Sequence, residues 1–202
     1  MRYKHVFAIC AYKDSPYLEQ CIRSLKAQTV PSHIIICTST PSSYIDRLAW
    51  KYGLQVYVRQ GESNIKDDWN FAYSMAEGGL VTIAHQDDMY HRDYSAGLLA
   101  AHKRYPDMTV FTTDYVIVKQ GKLITGDAML WIKRILRMPL RFPQMNDRAW
   151  LKKLAFVLGN PICCPATTYH KAALGEPLVR SEYSFALDWD NLVRLAEEPG
   201  RF

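Results

Sequence analysis

Two pairs of carboxylates are the residues of this chain best placed to do chemistry. Asp87 and Asp88 are adjacent in LVTIAHQDDMYHRDY (80–94), directly after an apolar run, and Asp188 and Asp190 stand two apart in FALDWDNLVRLAEEPGRF (185–202). Neighbouring carboxylates repel each other, and a divalent cation offsets that repulsion. Oxygen donors at a strand end suit Mg²⁺ or Mn²⁺, which bridge from the protein to substrate phosphates. The structural alternative is that the pair starts a turn or caps a helix, but the end of a central strand favours the cation. On a helix Asp188 and Asp190 point about 200° apart, so only one faces a cleft. The other serves the helix N-terminus.

The elements that must hold these groups alternate in type. An apolar run at Tyr3 to Ala11 predicts a strand, and Ser15 as N-cap with Pro16 in the first helical position predicts a helix with Leu18, Cys21, Ile22 and Leu25 on one stripe. HIIICTS is the next strand, and a helix carrying Ile45, Leu48, Ala49 and Tyr52 closes at Gly53. Strand LQVYV follows, then a helix with Trp69, Ala72, Tyr73 and Ala76 on one face, closed by Gly78 and Gly79, then strand LVTIAH. Such alternation implies right-handed crossovers and an α/β fold with a mostly parallel sheet covered on both faces. The strand ends at 11–14, 38–40, 59–61 and 86–88 then gather along one edge, where open sheets bind ligands. None carries a GxGxxG or GxxxxGK[ST] phosphate loop, so a bound phosphate needs neutralising by another route. Farther on, MTVFTTDYVIVKQGKLIT reads as strands with a turn at Gln120 to Lys122, followed by helical patterns near 128–138, 147–158 and 188–198.

At 202 residues, 49% hydrophobic and 22% charged, the chain fits one globular domain. Its five cysteines lack zinc-site spacing and read as buried, reduced thiols of a cytoplasmic protein, with Cys163-Cys164 in the wall of a cleft. The run VFAICAY is too short to span a membrane, and no later window is apolar enough. Charge is uneven: residues 119–153 hold nine Lys and Arg against Asp127 and Asp147, a local net of +7 in a chain whose total is +5. Within 128–141, Met129, Ile132 and Leu136 share one helical face, with Lys133, Arg134, Arg137 and Arg141 spread around the other side. A lid with solvated basic groups is the commoner use of such a helix, and peripheral contact with anionic lipid headgroups is the alternative. Nucleic acid is not an expected partner, because the charge is local and no reading motif accompanies it.

The order of AYKDSPYLEQCIRSLKAQT, HIIICTSTPS, NIKDDWNFAYSMAEGGLVTIAHQDD and FALDWDNLVRLAEEPGRF resembles the family 2 glycosyltransferases over nearly the whole chain. The resemblance implies a GT-A-like three-layer sandwich, with 1–90 as the nucleotide-sugar-binding half and 91–202 as the acceptor-side half of a single domain. It implies inverting sugar transfer that depends on Mg²⁺ or Mn²⁺. HQDDMY is similar to the family's Asp-X-Asp-type motif, with Asp88 in the metal place and Asp87 beside the donor's ribose or sugar. The late motif places Asp188 as the catalytic base, with Asp190 as the alternative. Ala11, Tyr12, Asp14, Thr38 and Gln86 fall at the donor side, and Asp68 and Asn70 flank Trp69 where they reach the cleft edge or solvent. His85 is read as packed or hydrogen-bonded, not as a ligand. Two departures stand out: Thr38 and Ser39 occupy the place of a base-contacting aspartate, and Leu187 replaces an acidic residue before Asp188. The resemblance further implies a glycan or lipid-linked acceptor, a role in polysaccharide or cell-envelope synthesis, and action at the inner face of the membrane. Relatives continue beyond the last helix, so the chain is expected to be a truncated form of a longer protein. The rival classes are a nucleotidylyltransferase, whose glycine- and basic-rich first loop AYKDSPY lacks, and a non-catalytic binding module, which would not need Asp188.

Overall fold

Strand β1 (Tyr3–Ala11) lies at the middle of a six-stranded sheet in the computed structural model, which describes residues 2–119, 121–183 and 185–202. The order runs β3 (Gln55–Val58), β2 (His33–Thr38), β1, β4 (Gly78–His85), β8 (Thr167–His170), β5 (Val110–Thr112). The first four are mutually parallel, and β8 is antiparallel to both its neighbours. Side chains of β1 alternate between two cores, as the two-residue period of a strand requires. Phe7 and Ile9 meet helices α1 (Leu18–Lys26), α2 (Ser43–Tyr52) and α4 (Tyr94–Arg104) on one face. Val6 and Ala8 meet α3 (Ile65–Met75) and α8 (Leu187–Leu195) on the other. The three-layer α/β arrangement follows. Among the described residues, 91–202 build no separate core: β8 and β5 extend the sheet begun by residues 1–90.

Local signals set some boundaries and fail at others. Gly53 ends α2 at φ 62°, as the sequence suggests, and Ser42 caps its start through the Ile45 amide at 3.3 Å. The first helix starts later than expected, at Leu18. Ser15 instead accepts from the Tyr17 amide at 3.3 Å, which spends its hydroxyl on a local turn. Gly78 and Gly79 do not close α3 but begin β4. A Cβ at Gly78 would lie 2.7 Å from Val6 Cγ2, so a glycine is needed for β4 to approach β1 there. The end of α3 is satisfied from far along the chain, by Lys171 Nζ, which donates to the carbonyls of Tyr73, Ser74 and Ala76 at 2.8–3.0 Å.

The second half departs further from the sequence pattern. Neither α4 nor the four-residue β8 is announced by periodicity. Two of β8's residues are buried threonines, and Thr168 is satisfied by Thr82 and the Tyr94 hydroxyl. Strands β6 (Ile117–Lys119) and β7 (Lys122–Ile124) form a hairpin; of its expected turn, Gln120 lies outside the described residues. Helix α5 (Ala128–Leu136) is followed by a 3-10 turn at Met138–Arg141, by α6 (Ala149–Leu154) and, after β8, by the short α7 (Lys171–Leu174).

The basic segment is solvated only in part. Arg137 is buried and pairs with Asp114, which also takes Arg134 Nε at 2.7 Å. Lys152 is fully buried and donates to the carbonyls of Glu198 and Gly200 at 2.6 and 2.9 Å, just beyond the end of α8. The apolar groups face outward instead: of α5 only Leu130 is buried, and Met129, Trp131, Ile132 and Ile135 are each more than half exposed. Among the described residues no helix is long and apolar enough to cross a membrane.

Candidate active site

The connections leaving β1 and β4 head in opposite directions along the strand order, one toward β2 and the other toward β5, although their helices α1 and α4 cover the same face. Such a switch point leaves a crevice beyond the carboxyl ends of the strands. A cavity of about 440 Å³ fills it, between the ends of β1, β2 and β4 and the start of α3. Ala11, Tyr12, Thr38, Asp68, Gln86 and Asp87, all expected on the donor side, line this cavity. Asp14 and Asn70 are not among its walls. Asp14 accepts from Ser42 Oγ at 2.6 Å, tying the first loop to the start of α2. Asn70 turns to the opposite side of α3 and pairs with the backbone N–H and C=O of Val179, both at 2.8 Å.

The walls are held by side chains that imitate or brace backbone. Gln86 pairs both ways with the backbone of Tyr12 at 3.0 Å, extending the β1–β4 ladder one step past His85. Asp68 faces the cavity with its oxygens already engaged by Arg59 Nε, Ser39 Oγ and Ser63 Oγ at 2.7, 3.0 and 2.7 Å. It therefore shapes the wall by joining the loops after β2 and β3 to α3. Lys13 adopts a left-handed φ of 53° where the chain leaves β1, and its amide donates to Thr40 Oγ1 at 2.7 Å. Backbone strain of this kind persists only where its surroundings over-determine it.

At the end of β4 a ring nitrogen of His85 and a carboxylate oxygen from each of Asp87 and Asp88 all lie within 4.8 Å of one another. Asp87 is exposed and reaches the cavity, whereas Asp88 is half-buried in the turn, its amide bonded to the His85 carbonyl at 3.2 Å. Burial, and then the neighbouring Asp87, push Asp88 up to about 6. Burial holds the His85 imidazole below its usual range against the opposing fields of Asp87 and Asp188, so the ring is neutral at pH 7. Two carboxylates and a neutral imidazole form a donor set that a divalent cation fits.

Asp188 and Asp190 diverge as the helical geometry requires. Asp188 bears electrostatically on His85, Cys164 and Tyr169, toward the sheet, whereas Asp190 bears on Arg194 farther along α8. Neither is the N-cap of α8. That position is Ala186, at a left-handed φ of 59°, which starts the helix abruptly and sets Asp188 in its first turn. Asn160 Nδ2 donates to Asp188 Oδ2 at 2.8 Å, and the Trp189 amide to Oδ1 at 2.9 Å. Asn160 is itself fixed by accepting from the Ile162 amide at 3.0 Å. Sequence reasoning missed this orienting role, although the Asn160-Pro161 turn signal was visible. It also missed Arg59, because no local pattern shows which carboxylate a distant arginine will meet. Cys163 and Cys164 lie near this cluster, Cys164 buried and Cys163 partly so.

Comparison with known proteins gives one family and a set of related folds. The sequence model described as "Glycosyl transferase family 2" matches residues 6–161. S. aureus TarS (1–349) superimposes with a TM-score of 0.70 at 17% identity, over 98% of this chain and 56% of that one. Glucosyl-3-phosphoglycerate synthase from Mycobacterium tuberculosis, in complex with Mn²⁺, UDP-glucose and phosphoglyceric acid, gives 0.63 at 13% identity, over 96% and 67%. Mannosyltransferase PcManGT from Pyrobaculum calidifontis, in complex with GDP-Man and Mn²⁺, gives 0.56 at 12% identity, over 86% and 46%. The chain thus spans about half the length of TarS (1–349). No curated protein sequence matches it significantly.

Proposed function

Because the chain belongs to glycosyl transferase family 2 and has the GT-A fold, we propose that it transfers a sugar from a nucleotide-sugar to an acceptor hydroxyl with inversion. The observation that supports this reading is the cluster of His85, Asp87 and Asp88 at the edge of the crevice, with Asp188, which does not line the cavity itself, within electrostatic reach of His85. The cavity suits the donor nucleotide, with Tyr12 and Thr38 in its wall. Asp87 and Asp88, with His85 beside them, would hold Mg²⁺ or Mn²⁺. When bound, such a cation would neutralise charge on the departing diphosphate. Asp188 accepts the acceptor hydroxyl's proton as the new C–O bond forms and the bond to the diphosphate breaks on the opposite face. Both of its oxygens hold one hydrogen bond and keep a lone pair, so Asn160 and the Trp189 amide orient the base without exhausting it. A single base opposite the leaving group produces inversion, and Asp190, directed toward Arg194, is the weaker candidate.

The acceptor side includes residues 91–202, and a glycan or lipid-linked acceptor of cell-envelope synthesis fits this reading. What supports contact with an anionic membrane is the outward apolar face of α5, in which Trp131 joins Met129, Ile132 and Ile135. Exposed Lys119, Lys122 and Arg141 belong to the same basic stretch, the mixture of aromatic, aliphatic and cationic groups that interfacial helices use.

A panel of UDP- and GDP-sugars with Mn²⁺ tests the function. A true donor at one hundred times its Kd raises stability by about 2.7 kcal/mol in thermal shift, and it should release nucleotide when an acceptor is supplied. A panel with neither response would sink the enzyme reading.

A further inference from the structure

We propose that His85 is a nitrogen ligand of the cation held by Asp87 and Asp88, and that it biases the site toward Mn²⁺ over Mg²⁺. The inference rests on the reading that this cluster binds a divalent cation, and it deepens that reading. Three observations carry it. The ring nitrogen and the two carboxylate oxygens lie within 4.8 Å of one another, a spread that bonds of about 2.1 Å bridge across one ion with small side-chain rotations. The imidazole is not consumed by the fold: its Nε2 is buried, and among the described residues it has no hydrogen-bond partner. A packed structural histidine would be expected to have one, as His5 does in bonding Ser32 and Thr82 at 2.8 Å on either side of its ring.

The third observation is preorganisation. His85 is the last residue of β4, in register with Cys10 of β1. Its carbonyl accepts from Cys21 Sγ at 3.4 Å and from the Asp88 amide at 3.2 Å, and its ring lies 5.2 Å from the Trp69 ring at 34°. The imidazole is therefore held beside the two carboxylates before any ion arrives. Mg²⁺ prefers oxygen donors in a near-ideal octahedron and dehydrates reluctantly, whereas transition ions accept imidazole. One nitrogen among the protein donors consequently weakens Mg²⁺ more than Mn²⁺.

The test uses the full chain with Mn²⁺ alone and reads the ligand directly by pulsed electron paramagnetic resonance. The unmodified protein should show a ¹⁴N modulation on bound Mn²⁺ that changes when histidine is ¹⁵N-labelled. His85→Asp and His85→Gln should both lose it, with circular dichroism reporting that each variant is folded. Competition between the ions should show that His85→Asp lowers the ratio of Mg²⁺ to Mn²⁺ dissociation constants by about tenfold or more, the scale on which metal sites respond to their ligand environment. Bound Mn²⁺ without nitrogen modulation, a modulation that persists in both variants, or an unchanged ratio would overturn the assignment while leaving the carboxylate site and the glycosyltransferase reading in place. Failure of Mn²⁺ to bind at all would overturn both.

Discussion

Replacing Asp88 with asparagine should make the protein more stable at neutral pH while removing a carboxylate from its proposed cation site. The Asp88 carboxyl sits at about 6 in the fold against 3.8 outside it, so the folded state holds its proton more tightly across that interval. Stability therefore falls as pH rises from about 4 to 6, and the penalty is complete above that window. Two pK units correspond to about 3 kcal/mol. Solvent reaches the half-buried group and screens it, which reduces the expected penalty to about 1–2 kcal/mol. An asparagine side chain is nearly isosteric with aspartate and carries no charge, so Asp88→Asn should gain that amount at pH 7.5, about 2–8 °C in Tm for a chain of this length. The advantage should shrink as pH falls through 6 and be nearly gone at pH 4. Urea denaturation followed by circular dichroism from pH 4 to 7.5 measures it. Mn²⁺ should stabilise the unmodified protein and leave the variant almost unaffected, reversing their order. A variant no more stable than its parent at pH 7.5, or a gain that does not shrink with acid, would refute the claim that burial penalises this carboxylate.

Three further outcomes separate roles that the structure distinguishes. Asp188→Asn should cut glycosyl transfer by about 10²-fold or more while donor affinity holds, whereas Asp190→Asn keeps most of its rate; initial rates and donor titrations decide between them. Lys171→Met should lower stability by about 2–3 kcal/mol in denaturation, because it strips three buried-end carbonyls of α3 of their donor. On α5, Trp131→Asp with Ile135→Asp should abolish sedimentation with anionic vesicles, whereas Arg134→Glu should chiefly reduce stability by breaking the pair with Asp114; vesicle binding that Arg134→Glu alone abolishes in a fully stable protein would contradict the outward apolar face.

Short-range regularities made the first ninety residues legible. Apolar runs at Tyr3–Ala11 and Leu80–His85 and the closing Gly53 are statements about residues a few positions apart, which is the range over which strand and helix periods operate. The crevice was foreseeable for the same reason, since alternating elements force the strand ends onto one edge, and six of the donor-side residues named from the sequence line it. Partnership across the chain was not foreseeable. Gly78 resembles a helix cap until Val6 fills the space beside it, and the cap of α3 arrives from Lys171, whose role depends on where β8 delivers it. Strand β8 is four residues long with buried threonines, and only its slot between β4 and β5 makes it a strand. A local excess of positive charge suggested a solvated basic helix, yet Arg134 and Arg137 turn to Asp114 and Lys152 to the carbonyls beyond α8, leaving the apolar side of α5 outward. Asn70 was nominated for the cleft because it adjoins Trp69, but residues one apart on a helix point about 100° from each other, and the Val179 backbone lies on its side. Composition and period determine which elements form and which edge is open; which charge is spent inside, and which carboxylate of a helical pair faces the sheet, depend on distant groups that only the folded chain brings within a few ångströms.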